Sequence, residues 1–226
     1  MNFSRRTLTR LAATLGAAAA LGTALPAFAA DPRVKFVTTE GDFVIEVYPD
    51  KAPKTVENFL QYVKDKHYDG TIFHRVIPGF MVQGGGYDKD YKQKPTRPSI
   101  KHEGRESLAK GLKNLPGTVA MARTGDPHSA TSQFFINVVD NTRLDPVILP
   151  AGDPVTFEFQ GQLQKDIPRK AVETHPALYG YTVFGKVVSG MDTVEKIRNT
   201  PTGPGGPFPT DAPQKQVVIQ SATLVR

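Results

Sequence analysis

From Gly70 onward the chain is cut into short runs rich in β-branched and aromatic residues, bounded by glycine and proline. Such runs read as strands joined by turns, and they leave little room for long helices. They are Thr71–Val76, Phe80–Gln83, Thr118–Ala122, Phe134–Val138, Thr182–Val188 and a closing run, Gln216–Val225. Upstream, Val34–Thr39 and Phe43–Tyr48 flank the turn Glu40-Gly41-Asp42, and Phe43, Ile45 and Val47 alternate as one face of a strand. The period then changes. Val56, Phe59, Leu60 and Val63 fall at i, i+3, i+4 and i+7, one face of a helix, with Pro53 near its start. A second short helix is expected over Met191–Arg198, and the Pro/Gly-rich stretch Thr200–Pro213 reads as loop. Eight strands and two helices in 226 residues make one mainly β domain, either barrel or sandwich. No internal repeat or interdomain linker interrupts it.

The first thirty residues follow a different rule. Arg5, Arg6 and Arg10 form a positive segment, Leu11 to Leu25 is an uncharged Ala/Leu-rich run, and Ala27-Phe28-Ala29 offers small residues for a peptidase. We read residues 1–29 as an export signal cleaved after Ala29, and 30–226 as the mature domain. The apolar run falls short of the roughly 20 residues of a comfortable membrane span. Ser4-Arg5-Arg6-Thr7-Leu8 resembles a twin-arginine signal, so both general and twin-arginine export stay open. The expected location is the periplasm, with secretion as the alternative.

Charge and residue types exclude several functions. Three arginines in the leader account for half of the formal +6, leaving +3 on the mature chain. Lys89–Lys94 is broken by Asp90, and no basic cluster remains to track a nucleic acid backbone. With no cysteine, disulfides, thiol catalysis and thiolate metal sites are absent. His67, His102, His128 and His175 lack ligand spacing, and Ser129 and Ser132 lack triad company. No metal or cofactor is expected, and a monomer is.

Four stretches carry a specific resemblance. They are Phe73-His74-Arg75-Val76-Ile77-Pro78-Gly79-Phe80-Met81-Val82-Gln83-Gly84-Gly85, Gly117-Thr118-Val119-Ala120-Met121-Ala122-Arg123, Ser132-Gln133-Phe134-Phe135-Ile136-Asn137 and Val183-Phe184-Gly185-Lys186-Val187-Val188. In order and spacing they resemble the cyclophilin-type peptidyl-prolyl cis-trans isomerases, closest in wording to bacterial periplasmic members. The resemblance spans residues 33–145 and 181–225. It implies a closed eight-stranded antiparallel barrel capped by two α-helices, with a groove on the outer face. It also implies a site. Arg75 matches the catalytic arginine, and Phe80, Met81, Phe135 and Leu144 match the apolar residues around the substrate proline. Gln83, Ala122 and Gln133 match residues that contact peptide backbone. Arg123 stands where many members have asparagine, and Tyr181 where many have histidine. Arg143 stands where many have tryptophan.

These residue types suit the implied chemistry. Resonance holds the peptide C–N bond planar behind a barrier of about 18–20 kcal/mol. At the twisted midpoint the nitrogen regains a lone pair, and a fixed donor aimed at it binds that state best. Arginine stays charged and presents a rigid fork of donors. Phe80, Met81, Phe135 and Leu144 supply an apolar wall for the proline ring. Outside its motif, Arg75 reads as a surface ion-pairing arginine. Phe73 and Phe134 are assigned to the core, and His74 to structural packing. The implied partners are proline-containing peptides and unfolded exported proteins. A second class of function, a binding or chaperone module using the same groove, is disfavoured by Arg75, because binding alone needs no donor at the prolyl nitrogen.

Between Asp145 and Tyr181 the chain departs from the family with an insertion of residues 146–180. Thr156, Glu158 and Gln160 alternate with Phe157 and Phe159, which allows a short strand, and 162–178 allows a helical turn. It is either a surface elaboration or an added wall that lengthens or narrows the groove. Its flanks at Leu144 and Tyr181 favour an influence on substrate choice.

Overall fold

The alternation seen in the first strands sets the architecture. β1 (Arg33–Thr38) and β2 (Gly41–Val47) pair antiparallel with Phe36 opposite Phe43, their rings stacked 5.1 Å apart. These elements belong to a computed structural model that describes residues 30–225; the expected export signal, 1–29, lies outside the described residues. α1 (Pro53–Lys64) follows and buries Val56, Phe59, Tyr62 and Val63. Leu60, expected on that face, is only half-buried, and Tyr62 takes the deeper place. No side chain at the start of α1 caps it. The buried Glu103 carboxylate does, accepting the Lys54 and Thr55 N–H groups at 3.1 and 2.8 Å and the Thr55 hydroxyl at 2.8 Å. A carboxylate there satisfies orphan donors and faces the positive end of the helix dipole.

The remaining elements are β3 (Thr71–Ile77), β4 (Met81–Asp88), α2 (Gly104–Ala109), β5 (Thr118–Met121), β6 (Phe134–Asn137), β7 (Val155–Phe159), β8 (Gln162–Ile167), α3 (Arg169–Val172), β9 (Val183–Ser189), α4 (Met191–Arg198), β10 (Thr202–Gly205), β11 (Phe208–Pro213) and β12 (Ile219–Val225). Eight strands, the eight runs expected from sequence, form one antiparallel sheet in the order β12-β1-β2-β9-β5-β6-β4-β3. The sheet curls, but its closure is looser than a continuous barrel. The outer strands β12 and β3 share no ladder. They meet through an isolated Ile72–Val218 bridge and through Gly70 and Phe73 N–H groups donated to the Ile219 and Val217 carbonyls. Inside lies an aromatic core of Phe36, Phe43, Phe59, Tyr68, Phe73, Phe134 and Phe184, covered by α1 and by Val194 and Ile197 of α4. Phe73 and Phe134 thus sit in the core, as their motif positions suggested.

Three local readings change. Thr200–Pro213 is largely a hairpin, β10–β11, rather than loop. α2 was not expected. The insertion holds the anticipated strand as β7, hairpinned to β8, with α3 beyond, around its own apolar cluster of Val155, Phe157 and Leu178.

Candidate active site

Strand alternation divides the central sheet into two faces. Val82, Val119, Met121, Phe134 and Ile136 point into the core. Their neighbours Met81, Ala120, Phe135 and, on β9, Val183 form a second apolar cluster on the outer face. Register fixes what stands around it. Gln83 lies opposite Arg75 on one side and opposite Phe135 on the other, and Ala120 lies opposite Phe135. The result is a cavity of about 270 Å³ lined by Arg75, Phe80, Met81, Gln83, Ala122, Arg123, Gln133, Phe135, Leu144 and Tyr181. Ten of the eleven site positions singled out from sequence meet here; Arg143 does not. The size is close to the small end of the ligand-pocket range, about 300–1,000 Å³, and suits a residue rather than a large cofactor.

Met81 and Phe135 are 2% and 4% exposed and form the floor. Phe80 and Leu144 form the rim, and each is pinned by a carbonyl. The Phe80 carbonyl accepts Asn141 Nδ2 at 2.8 Å, and the Leu144 carbonyl accepts the Tyr181 N–H at 3.0 Å. The Tyr181 ring stands edge-on to Phe135 at 5.4 Å. Gln83 Nε2 donates to Gln133 Oε1 at 2.9 Å, which fixes both amides along the wall. Gly86 permits this, because a β-carbon there would collide with the Gln133 side chain.

The two arginines are held differently. Arg75 is half-exposed, its Nε 3.7 Å from Asp211 Oδ2, so the ion pair engages the inner nitrogen of the fork. Arg123 spends its donors on backbone: Nε reaches the Gly180 carbonyl at 2.9 Å and Nη1 the Thr124 carbonyl at 2.8 Å. Its guanidinium lies 4.9 Å from the Tyr181 ring centre. Arg123 lines the cavity, yet its visible work is to hold Tyr181. Arg143, at the family's tryptophan position, lies outside the cavity with its guanidinium 5.2 Å from the Phe80 ring centre.

Four neighbours were missed from sequence. His74, Tyr87 and Phe208 also line the cavity, and Asp211 pairs with Arg75. Phe208 and Asp211 belong to β11. Phe208 packs on His74 at 5.1 Å and on Tyr87 at 5.2 Å. A lone aromatic in a Pro/Gly-rich stretch was the available signal. His74 is indeed packed, and burial together with the adjacent Arg75 charge lowers its pKa to about 4. It is therefore neutral at physiological pH and adds no second charge beside Arg75. Among the described residues no group of His, Asp or Glu could hold a metal ion.

The chain is similar to known proteins in both sequence and fold. The sequence model of the family described as "Cyclophilin type peptidyl-prolyl cis-trans isomerase/CLD" matches residues 33–224. Peptidyl-prolyl cis-trans isomerase B of Escherichia coli K12 is 46% identical over 191 residues, covering 84% of this chain and 98% of that protein. Peptidyl-prolyl cis-trans isomerase A of Dickeya dadantii is 44% identical over 203 residues, covering 89% and 90%. In fold, the chain is similar to a crystal structure of a Cryptosporidium parvum cyclophilin-type isomerase determined in the presence of the dipeptide Ala-Pro. That match has a TM-score of 0.56 at 22% identity and covers 86% of this chain and 99% of that one.

Proposed function

Because this chain belongs to the cyclophilin-type peptidyl-prolyl cis-trans isomerases and is itself such an isomerase, we propose that Arg75 is its catalytic donor, acting on proline residues of exported proteins as they fold. The observation that carries the assignment is a charged, half-exposed guanidinium at the wall of a cavity sized for one residue, whose floor is the apolar pair Met81 and Phe135. The proline ring of an X-Pro segment sits on Met81 and Phe135, between Phe80 and Leu144. Burial of one such ring contributes about 1.5–3 kcal/mol. With a few backbone hydrogen bonds, binding falls near 1 mM, which is about 4 kcal/mol. Gln83, Gln133 and the backbone at Ala122 hold the flanking peptide, and Tyr181, fixed by Arg123, closes the end. The Ala-Pro dipeptide in whose presence the Cryptosporidium parvum structure was determined is an X-Pro unit of this kind.

Rotation then needs no proton transfer and no covalent intermediate. As the C–N bond twists, the prolyl nitrogen pyramidalises and its lone pair becomes an acceptor. An Arg75 donor strengthens its hydrogen bond only in that state, so the interaction lowers the barrier without tightening ground-state binding. A charge-assisted bond contributes about 1.5–3 kcal/mol, roughly ten- to a hundredfold in rate. Water exclusion by the aromatic floor raises this. Asp211 on Nε leaves the outer nitrogens of the fork to face the substrate. Weak, sequence-tolerant binding suits a catalyst that meets many unfolded chains. The three-part leader supports an exported, periplasmic setting.

The test is a protease-coupled isomerisation assay on a proline tetrapeptide. Arg75→Ala should lose about 10²-fold in kcat/KM while melting as cooperatively as the wild type. Retention of more than about a third of the wild-type rate would remove Arg75 from the catalytic role, given the cost of losing one preorganised donor. Mass spectrometry of protein recovered from the native host should show Ala30 as its first residue, and an intact Met1 on a membrane-bound form would refute the export reading.

A further inference from the structure

Beside the proline cavity lies a second, larger groove of about 1050 Å³, built by residues 142–148 and Pro150 on one side and 156–161 on the other. Leu144 lines both spaces, so the groove continues directly from the rim of the proline cavity. Its far wall is β7 and the turn that follows it. Thr156, Phe157, Glu158 and Phe159 all line it, although consecutive residues of a strand face opposite sides. Lining by both sets means that the groove runs along the edge of β7 rather than over a face.

That edge is open. β7 pairs with β8 alone, in a two-stranded sheet. The hairpin closes through the two-residue turn Gln160-Gly161, both in the left-handed region with φ of 51° and 75°. In such a hairpin the pair flanking the turn, Phe159 and Gln162, exchanges its hydrogen bonds. The N–H and carbonyl of the next residue, Glu158, therefore point away from β8, toward the groove. Apolar side chains stand around the edge. Ile148, opposite it, is 52% exposed, and Pro150 and the half-buried Phe159 lie beside it. Unpaired backbone donors and acceptors beside exposed apolar side chains make a template for strand addition.

We propose that this edge takes the extended segment flanking the substrate proline, adding it to β7 as a third strand while the proline occupies the cavity at Leu144. The occupant is an unfolded polypeptide with apolar residues at alternate positions beside its proline. The residue before a proline is already biased toward extended backbone, so the chain enters such a groove in the required conformation. This inference rests on the isomerase reading of the cavity and adds a substrate class to it: long extended chains are preferred over short peptides. It turns the insertion from a covering wall into a pairing surface.

The test compares a proline tetrapeptide with a ten-residue peptide bearing alternating apolar residues on both sides of one proline, with isomerisation followed by exchange NMR. The long peptide should show a kcat/KM higher by about tenfold, the worth of one or two net hydrogen bonds. N-methylation of alternate flanking amides should remove that advantage. So should Glu158→Pro, which deletes an outward N–H and leaves the hairpin bonds in place, whereas Glu158→Ala should keep it. Tetrapeptide turnover, which reports the cavity that Glu158 does not line, should be the same throughout. An advantage that survives both N-methylation and Glu158→Pro, or a wild type that treats the two peptides alike, would overturn strand addition. If Glu158→Pro fails to fold, the N-methylated peptides on the wild type decide alone. Failure of the wild type to turn over the tetrapeptide would instead refute the isomerase reading.

Discussion

The proline cavity and the insertion groove share Leu144 but are built by opposite means. The cavity lies on four strands of an eight-stranded sheet, and a buried polar network braces its rim. Asn137, fully buried, donates to Asn114 Oδ1 and Thr118 Oγ1 at 3.1 and 3.0 Å and accepts Asn141 Nδ2 at 2.8 Å. Asn141 in turn holds the Phe80 carbonyl. The groove rests on one two-stranded hairpin over three buried apolar side chains, with β8 largely in solvent. A rigid site fixes a donor against a reacting atom, which needs tight placement. A thinly supported edge needs only to accept backbone of any sequence. The difference assigns chemistry to the sheet and choice of chain to the insertion.

If bracing is what separates the two regions, removing it should cost unequally. Asn137→Ala leaves several buried polar partners unmatched, at about 1–3 kcal/mol each. A loss of about 3 kcal/mol corresponds to a fall in Tm of roughly 6–12 °C for a domain of this size. KM for a tetrapeptide should rise as well, because Asn141, which holds the Phe80 carbonyl, loses its own partner. In the insertion, the Thr156 hydroxyl accepts the Asp166 N–H at 3.2 Å on an exposed strand pair. Thr156→Ala should cost no more than about 0.5 kcal/mol. Differential scanning calorimetry decides, and equal losses of Tm would end the contrast.

The same contrast governs what could be read from sequence. Four of the cavity's residues sit within long motifs on regular strands, so period and motif place Arg75, Met81, Gln83 and Phe135 on one wall. Register did the rest, since a residue's face follows from its position once the strand is known. The hairpin β10–β11 was hidden because Pro204, Gly205, Gly206 and Pro207 dominate it and mask any alternation. Phe208 and Asp211 therefore surfaced only when that hairpin folded over His74 and Arg75. The capping role of Glu103 was equally hidden, because it spans 48 residues to Thr55. In the insertion, alternation from Thr156 to Gln160 announced a strand, but no local pattern tells which edge stays open. That depends on what the fold brings beside it.

Titration offers a second comparison, between two buried histidines. His74 lies at the cavity beside Tyr87 and Phe208, and His102 lies where Tyr179 of the insertion packs on the domain. Burial lowers both to a pKa of about 4, with help from Arg75 at His74 and from Arg123 at His102. Unfolded histidine titrates near 6.5. Below that value the unfolded chain takes up protons that the folded one refuses, so stability falls with pH from about 6.5 to about 4. This pair should contribute a slope approaching two protons, to which His67, whose pKa burial also lowers, adds; urea unfolding across this range measures it. His102→Gln should lower the slope by nearly one proton, with the cavity unaffected. An unchanged slope in that variant would show that the seam with the insertion opens before the domain unfolds.

The smallest effect expected is also the sharpest test of the division. Replacing residues 147–179 with a short Gly/Ser connection should leave tetrapeptide turnover within a few-fold of wild type. The ends of the insertion already touch. The Tyr181 N–H donates to the Leu144 carbonyl at 3.0 Å, and a β-carbon on Gly180 would collide with that carbonyl and with the Pro146 nitrogen. Asp145 is held independently, its Oδ1 accepting Asn114 N and Nδ2 at 2.8 Å each. Both cavity residues at the stem therefore keep their anchors when the loop beyond them is shortened. Arg123 loses nothing either, because Gly180 and Thr124 remain. What goes is a self-contained apolar cluster, two bonds from Arg105 to the Val147 and Glu173 carbonyls, and the packing of Tyr179 on His102. Closing a shorter loop also costs slightly less entropy, about 0.6 kcal/mol per halving of length. The excised protein should melt cooperatively close to the wild-type Tm and lose only the advantage of long peptides. If it melts cooperatively but no longer turns over tetrapeptides, the insertion supplies part of the cavity itself. Chemistry and choice of chain would then share one region, and the contrast drawn between them would fail.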